Sequence, residues 1–197
     1  MAFSSTPEPR GCAACGHDHL VEFYETEEFL VASVTDFVVG ALAGDGAAIV
    51  VATPEHREAF EEAIGDEGCD VEAATRVGRY MAIDAAKLLS RFMVDGMPDP
   101  VRFTAAVTGL LELVGAGGRP VRVYGEMVAL LWGEGHVTAT IALEDMWNEL
   151  AEIRSFSLFC GYPIQSFDVQ SRALFAHICG QHGRVIREGG PAAPDAA

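Results

Sequence analysis

The chain has 197 residues, half of them hydrophobic, and sets 29 acidic against 13 basic side chains for a formal charge of −16 at pH 7. That length and apolar content suffice for one α/β domain with a continuous core, while the negative charge repels phosphate backbones and anionic lipid and so speaks against direct nucleic-acid or membrane-surface binding. No apolar run approaches the ~20 residues that span a bilayer, and the first ten residues lack the basic-then-apolar build of a signal peptide, so a cytoplasmic protein with free thiols at its five cysteines is expected.

Residues 1–16 and 188–197 are rich in Pro, Gly, Ala and Ser and read as flexible tails around a domain of residues 17–187. His19 to Tyr24 reads as the first strand. A helix from Thr26 to about Ala43 follows, with Thr26 as N-cap and an apolar face of Phe29, Leu30, Val34, Phe37 and Val38. Ala47–Ala52 is continuously apolar, as a central parallel strand requires, and Thr53-Pro54 opens a second helix that ends between Gly65 and Gly68. After a loop or short helix through Val77, Tyr80–Asp84 reads as a strand.

Leu88, Leu89, Phe92 and Met93 mark a helix that breaks at Met97-Pro98-Asp99-Pro100, and Phe103, Val107, Leu110, Leu111 and Val114 mark the next. Strands are then expected over Val121–Tyr124 and Phe156–Cys160, each stopping at a glycine, with helical segments across Met127–Leu131 and Ile141–Arg154 between them. A final helix runs from about Val169 to Gln181. The βα rhythm predicts a single three-layer α/β domain, a largely parallel sheet of about five or six strands with helices on both faces.

A nucleotide-binding version of that architecture places glycines and a lysine after the first strand, whereas here the turn reads Tyr24-Glu25-Thr26-Glu27-Glu28. Carboxylates at the helix N-terminus repel a triphosphate, so ATP hydrolysis is not expected. Neither a nucleophile elbow nor an H-E-x-x-H helix is present, and no enzyme activity is expected.

Cys12, Cys15, His17 and His19 crowd four zinc-type ligands into eight residues. The cluster reads as a chance grouping, as a zinc set or as a redox C-x-x-C pair, with chance favoured because the second pair is spaced too closely for a zinc finger. Glu126, at the end of a strand, reads as a helix cap, as a ligand contact or as the partner of a cation. Trp132, Trp147, Phe159 and Tyr162 are placed near one face, as pocket lining or as core. Glu144 stands three residues before Trp147, a buried acid or a surface one, and His177 and His182, with Cys179 between them, read as solvated helix-end histidines or, less favoured, as a metal site.

The order of motifs adds to this. His19-Leu-Val-Glu-Phe23-Tyr24-Glu25 is followed by Gly78-Arg79, Phe103, Tyr124-Gly125-Glu126-Met127-Val128, Leu130-Leu131-Trp132, Leu143-Glu144-Asp145-Met146-Trp147-Asn148 and Cys160-Gly161-Tyr162-Pro163. From about His19 to His182 the chain resembles the MEDS domain, the methanogen/methylotroph sensory domain of the dichloromethane-regulator type. The resemblance implies a RecA-like fold that has lost its phosphate loop, and a sensor of small hydrocarbon derivatives. It matches the family at His19, Phe23-Tyr24, Glu126, Trp132, Trp147, Tyr162 and His182, and departs from it at His136, where a polar amide is usual, and at Val21, where a cysteine is frequent.

The resulting expectation is a sensory module that binds a small, partly apolar ligand through His19, Tyr24, Glu126, Trp132, Glu144, Trp147 and Tyr162. It would signal through a separate protein such as a histidine kinase or transcription regulator. No cofactor is expected, apart from zinc if the N-terminal cluster holds it. The alternatives are a degenerate nucleotide-binding protein, with Arg76, Arg79, Arg119 and Arg122 as its basic groups, and a zinc protein.

Overall fold

The computed structural model describes residues 19–166, 178–180 and 182–187. Both expected tails, with Cys12, Cys15 and His17, lie outside the described residues, as does most of the expected final helix. In chain order the elements are β1 (His19–Tyr24), α1 (Glu27–Leu42), β2 (Ala47–Ala52), α2 (Pro54–Asp66), α3 (Val71–Arg76), β3 (Tyr80–Asp84) and α4 (Ala85–Leu89). There follow β4 (Met93–Val94), β5 (Met97–Pro98), α5 (Pro100–Val114), β6 (Val121–Gly125), α6 (Met127–Gly133), α7 (Val137–Ile153), β7 (Ser157–Pro163) and β8 (Arg184–Arg187).

Six strands form one parallel sheet in the order β3-β2-β6-β7-β1-β8. The strand β2, AAIVVA, has no polar face to offer water and is buried along its whole length between β3 and β6. Its alternate side chains divide the core. Ala48, Val50 and Ala52 pack with α1, α2, Tyr124 and Phe159, while Ala47, Ile49 and Val51 pack with α4, α5, α6 and α7 and with Val21, Cys160 and Tyr162. Helices therefore cover both faces, as the βα rhythm requires.

Local chemistry sets the helix starts. Thr26, Thr53, Asp70, Asp84 and Asp99 each accept a backbone N–H with the side chain at the N-cap of α1 to α5. The starts of α6 and α7, at Glu126 and His136, have no such bond, and the Glu126 carboxylate is engaged elsewhere.

Three expectations are corrected. Met93 does not continue a helix: α4 ends at Leu89, and Met93–Pro98 forms the antiparallel hairpin β4–β5 about Asp95-Gly96, both at positive φ. An Asp-Gly pair is the strongest short hairpin signal, and the helical spacing of the neighbouring apolar residues masked it. The strand β7 does not stop at Gly161 but runs on to Pro163, still paired with β1. A sixth strand, β8, was not read from Arg184–Arg187, where charged residues bracket only two apolar ones. It pairs with β1 at the sheet edge.

Candidate functional site

Two polar constellations lie on opposite faces of the sheet. The first is at the carboxyl ends of β2 and β6. These strands are neighbours, yet β2 leads into α2 on one face and β6 into α6 on the other, which opens a crevice at their ends. Glu126 stands there, buried. Its Oε2 accepts the backbone N–H of Thr53 at 2.9 Å, and its Oε1 accepts the Tyr124 hydroxyl at 3.0 Å. His56, in the first turn of α2, donates from Nδ1 to the same Oε1 at 2.5 Å and from Nε2 to Glu27 of α1 at 2.6 Å.

A ring donating from both nitrogens is an imidazolium. The bond to Glu126, with the charges of Glu126 and Glu27, raises the His56 pKa to about 9 despite partial burial. Tyr24 ends β1 in the field of Glu27, Glu126 and Glu22, and burial together with those charges pushes its phenol up. One carboxylate thus ties the ends of β2 and β6 to the first turns of α1 and α2.

The second constellation is enclosed between the other face of the sheet and α7. His19 begins β1, Cys160 lies within β7, Glu144 projects from the middle of α7, and His182 closes the approach to β8, where Gly183 N–H donates to the His19 carbonyl at 2.9 Å. The Nε2 of His19 lies 3.5 Å from Cys160 Sγ and 3.6 Å from Glu144 Oε2; that oxygen is also 3.6 Å from His182 Nε2 and 4.0 Å from Cys160 Sγ. The Glu144 and His182 side chains are 0% exposed.

Outer partners hold each group. Asn148 Oδ1 contacts His19 Nδ1 at 2.7 Å, the Ile178 carbonyl contacts His182 Nδ1 at 2.6 Å, and the Tyr162 hydroxyl donates to Glu144 Oε1 at 2.6 Å. Burial lowers His19 to about 4 and His182 to about 3, raises Glu144 to about 7, and pushes the Cys160 thiol up. Both imidazoles are therefore neutral at pH 7. The inward Nε2 of His19 is in hydrogen-bond contact with the Cys160 sulfur, and that of His182 has no hydrogen-bond partner among the described residues.

The expected site residues divide between these places. Tyr24 and Glu126 belong to the sheet edge; His19, Glu144 and Tyr162 belong to the enclosed cluster. Trp132 and Trp147 are core, and Trp147 meets the Phe103 ring edge-on at 5.0 Å. Phe159 and Tyr162 do not share a face, because they stand three positions apart, an odd offset, on one strand: Phe159 packs against Tyr124, and Tyr162 stacks on Phe23 on the other side. His182 is buried, contrary to the solvated reading, while His177 lies outside the described residues.

Sequence reasoning missed His56, Cys160 and Asn148. His56 carried a usable signal, being a titratable residue in the first helical turn after a buried strand. An open groove lined by Val101, Thr104, Thr108 and Arg154 runs along α5 and shares no residue with either constellation.

Comparison with known proteins yields no curated relative. Among solved structures, the chain is similar to the uncharacterized protein PH0321 from Pyrococcus horikoshii, crystallised in complex with an unknown peptide. The TM-score is 0.58 at 13% sequence identity, over 87% of this chain and 77% of that one, a likeness of fold alone. The model of the MEDS family, the methanogen/methylotroph DcmR sensory domain, matches residues 18–182. The match takes in both constellations and nearly every described element, and the chain belongs to the MEDS family.

Proposed function

We propose that this MEDS chain is a sensory module that binds a small, partly apolar ligand at the carboxyl edge of its sheet. It passes the resulting change of shape to a separate signalling protein, such as a histidine kinase or transcription regulator, without converting the ligand. The supporting observation is Glu126, buried at the crevice between β2 and β6 and bonded to a charged His56 whose side chain is 20% exposed. A ligand that competes for either group alters the tether among four elements.

The energy required is small. A tenfold shift between two conformations takes about 1.4 kcal/mol of differential affinity, which burial of ~55 Å² of apolar ligand surface supplies at ~25 cal/mol/Å². Calorimetric titration with a panel of short-chain hydrocarbon derivatives should find saturable binding. Glu126→Gln should weaken it at least about tenfold, the worth of one charge-assisted hydrogen bond, while Glu112→Gln on the exposed side of α5 leaves it unchanged. Absence of saturable binding across the panel, or full affinity in the Glu126 variant, removes the proposal.

A phosphate-binding reading draws no support from this edge. Arg79 donates to the carbonyls of Leu42, Gly44 and Gly46, and Arg122 to that of Phe37, all at the opposite ends of the strands, while Arg76 pairs with Glu72 on the surface of α3. A thermal-shift titration with ATP and magnesium separates the two readings, since a nucleotide at 100 times its Kd should stabilise by about 2.7 kcal/mol.

A further inference from the structure

We propose that His19, Glu144, Cys160 and His182 form a four-ligand site for a divalent cation of the zinc type. Their donor atoms, Nε2, Oε2, Sγ and Nε2, all lie within 4.8 Å of one another. A tetrahedral ion with bonds of about 2.0–2.3 Å needs donor separations of about 3.3–3.8 Å. Four of the six separations, at 3.5, 3.6, 3.6 and 4.0 Å, lie at or near that range. The other two, from His182 Nε2 to His19 Nε2 and to Cys160 Sγ, are within 4.8 Å, so the shell closes with a movement of His182 of up to about 1 Å.

The hydrogen-bond pattern orients the lone pairs. A backbone carbonyl can only accept, so His182 carries its proton on Nδ1 and presents a bare Nε2; the Asn148 carbonyl oxygen fixes His19 in the same way. Two imidazole lone pairs, a thiol sulfur and a carboxylate oxygen thus converge with an acceptor atom at almost every corner. The His182 Nε2 is buried without a hydrogen-bond partner among the described residues, a costly arrangement unless a cation occupies the centre. Outer hydrogen bonds to Asn148, Ile178 and Tyr162 give the first ligands the orienting shell that protein metal sites show.

Charge and softness select the ion. Binding releases the Cys160 proton, and any proton held by Glu144, to solvent, and one thiolate plus one carboxylate then neutralise a dication, so the enclosed site carries no net charge. Imidazole and thiolate favour zinc over magnesium or calcium, which take oxygen ligands. Four protein ligands close the coordination sphere, as in a structural site. The ion would join the start of β1, the middle of α7, β7 and the segment entering β8. This site shares only His19 with the N-terminal cluster of Cys12, Cys15 and His17.

Metal analysis of the full chain, purified after zinc supplementation and dialysis, should find about one zinc per chain. Cobalt loading should give the visible bands of four-coordinate cobalt together with a thiolate-to-cobalt charge-transfer band. Cys160→Ser should abolish that band, and Asn148→Ala, which alters only a positioning residue, should weaken zinc affinity about 10- to 100-fold. Cys12→Ser with Cys15→Ser should change neither metal content nor spectrum.

A folded wild-type chain that takes up far less than one equivalent overturns the proposal, because the four groups are then held by shared protons alone. Loss of metal from the Cys12/Cys15 variant, with retention in the Cys160 variant, also overturns it by moving the site to the N-terminal cluster. The wild-type reading depends on no variant that could misfold. Both readouts are independent of any ligand at Glu126, so this proposal and the sensory one stand or fall separately.

Discussion

A histidine clamped between two carboxylates keeps its charge far into alkaline solution, and His56 is clamped in this way between Glu126 and Glu27. Its folded pKa of about 9 exceeds the ordinary 6.5, so its contribution to stability is complete below 6.5 and is lost as pH rises through 9. The groups facing it are those two carboxylates and the Phe60 ring. His56→Gln should cost about 1–2 kcal/mol near neutral pH, the range for a hydrogen bond to a charged group at a partly exposed site. Urea denaturation of both chains should show that gap narrowing between pH 6.5 and 9. A gap constant across that window means the ring is not charged in the fold. Glu126 was legible because it follows a recognisable strand. His182 was misread because its burial comes from β1 and α7, far away in sequence, and helix-end position says nothing of such contacts.

At the scale of elements, β6 and β7 fit together through one close approach. A β-carbon at Gly161 would lie 2.8 Å from the Tyr124 hydroxyl oxygen and 3.3 Å from Leu30 Cδ1, so glycine in β7 makes the space through which Tyr124 reaches Glu126. Gly161→Ala should destabilise by about 1–3 kcal/mol, as overpacking does. In a Tyr124→Phe background that cost should shrink, since the oxygen that would clash is gone, and a double-mutant cycle in urea measures the difference. Equal costs in both backgrounds contradict the account. The glycine itself was misread as a strand stop because glycine weakens strands in isolation. By contrast β1, β2 and β3 fell at their expected bounds, since short runs rich in apolar residues and ended by caps or turns leave little choice. The β8 strand offered no such run.

For the molecule as a whole, β8 is the outer neighbour of β1, which carries the fully buried Val21 and Phe23. Deleting residues 184–197 while keeping His182 should expose the backbone edge of β1 and promote self-association, because unpaired edges recruit other strands. Light scattering after gel filtration reads the outcome, and a stable monomer would show that β1 needs no cover. The pattern of βα units made the layered sheet predictable, but not which strand closes it or that polar groups gather on both faces. Those depend on pairing between distant segments. The place of β1 has one more consequence. His19 lies beside Leu158 and Leu20 beside Arg184, so the strand of this sheet that leaves the ribosome before the other described ones finds both neighbours only in the two made last among them. Until then its apolar side chains wait in the open, at the stage of synthesis when a chaperone has most to protect.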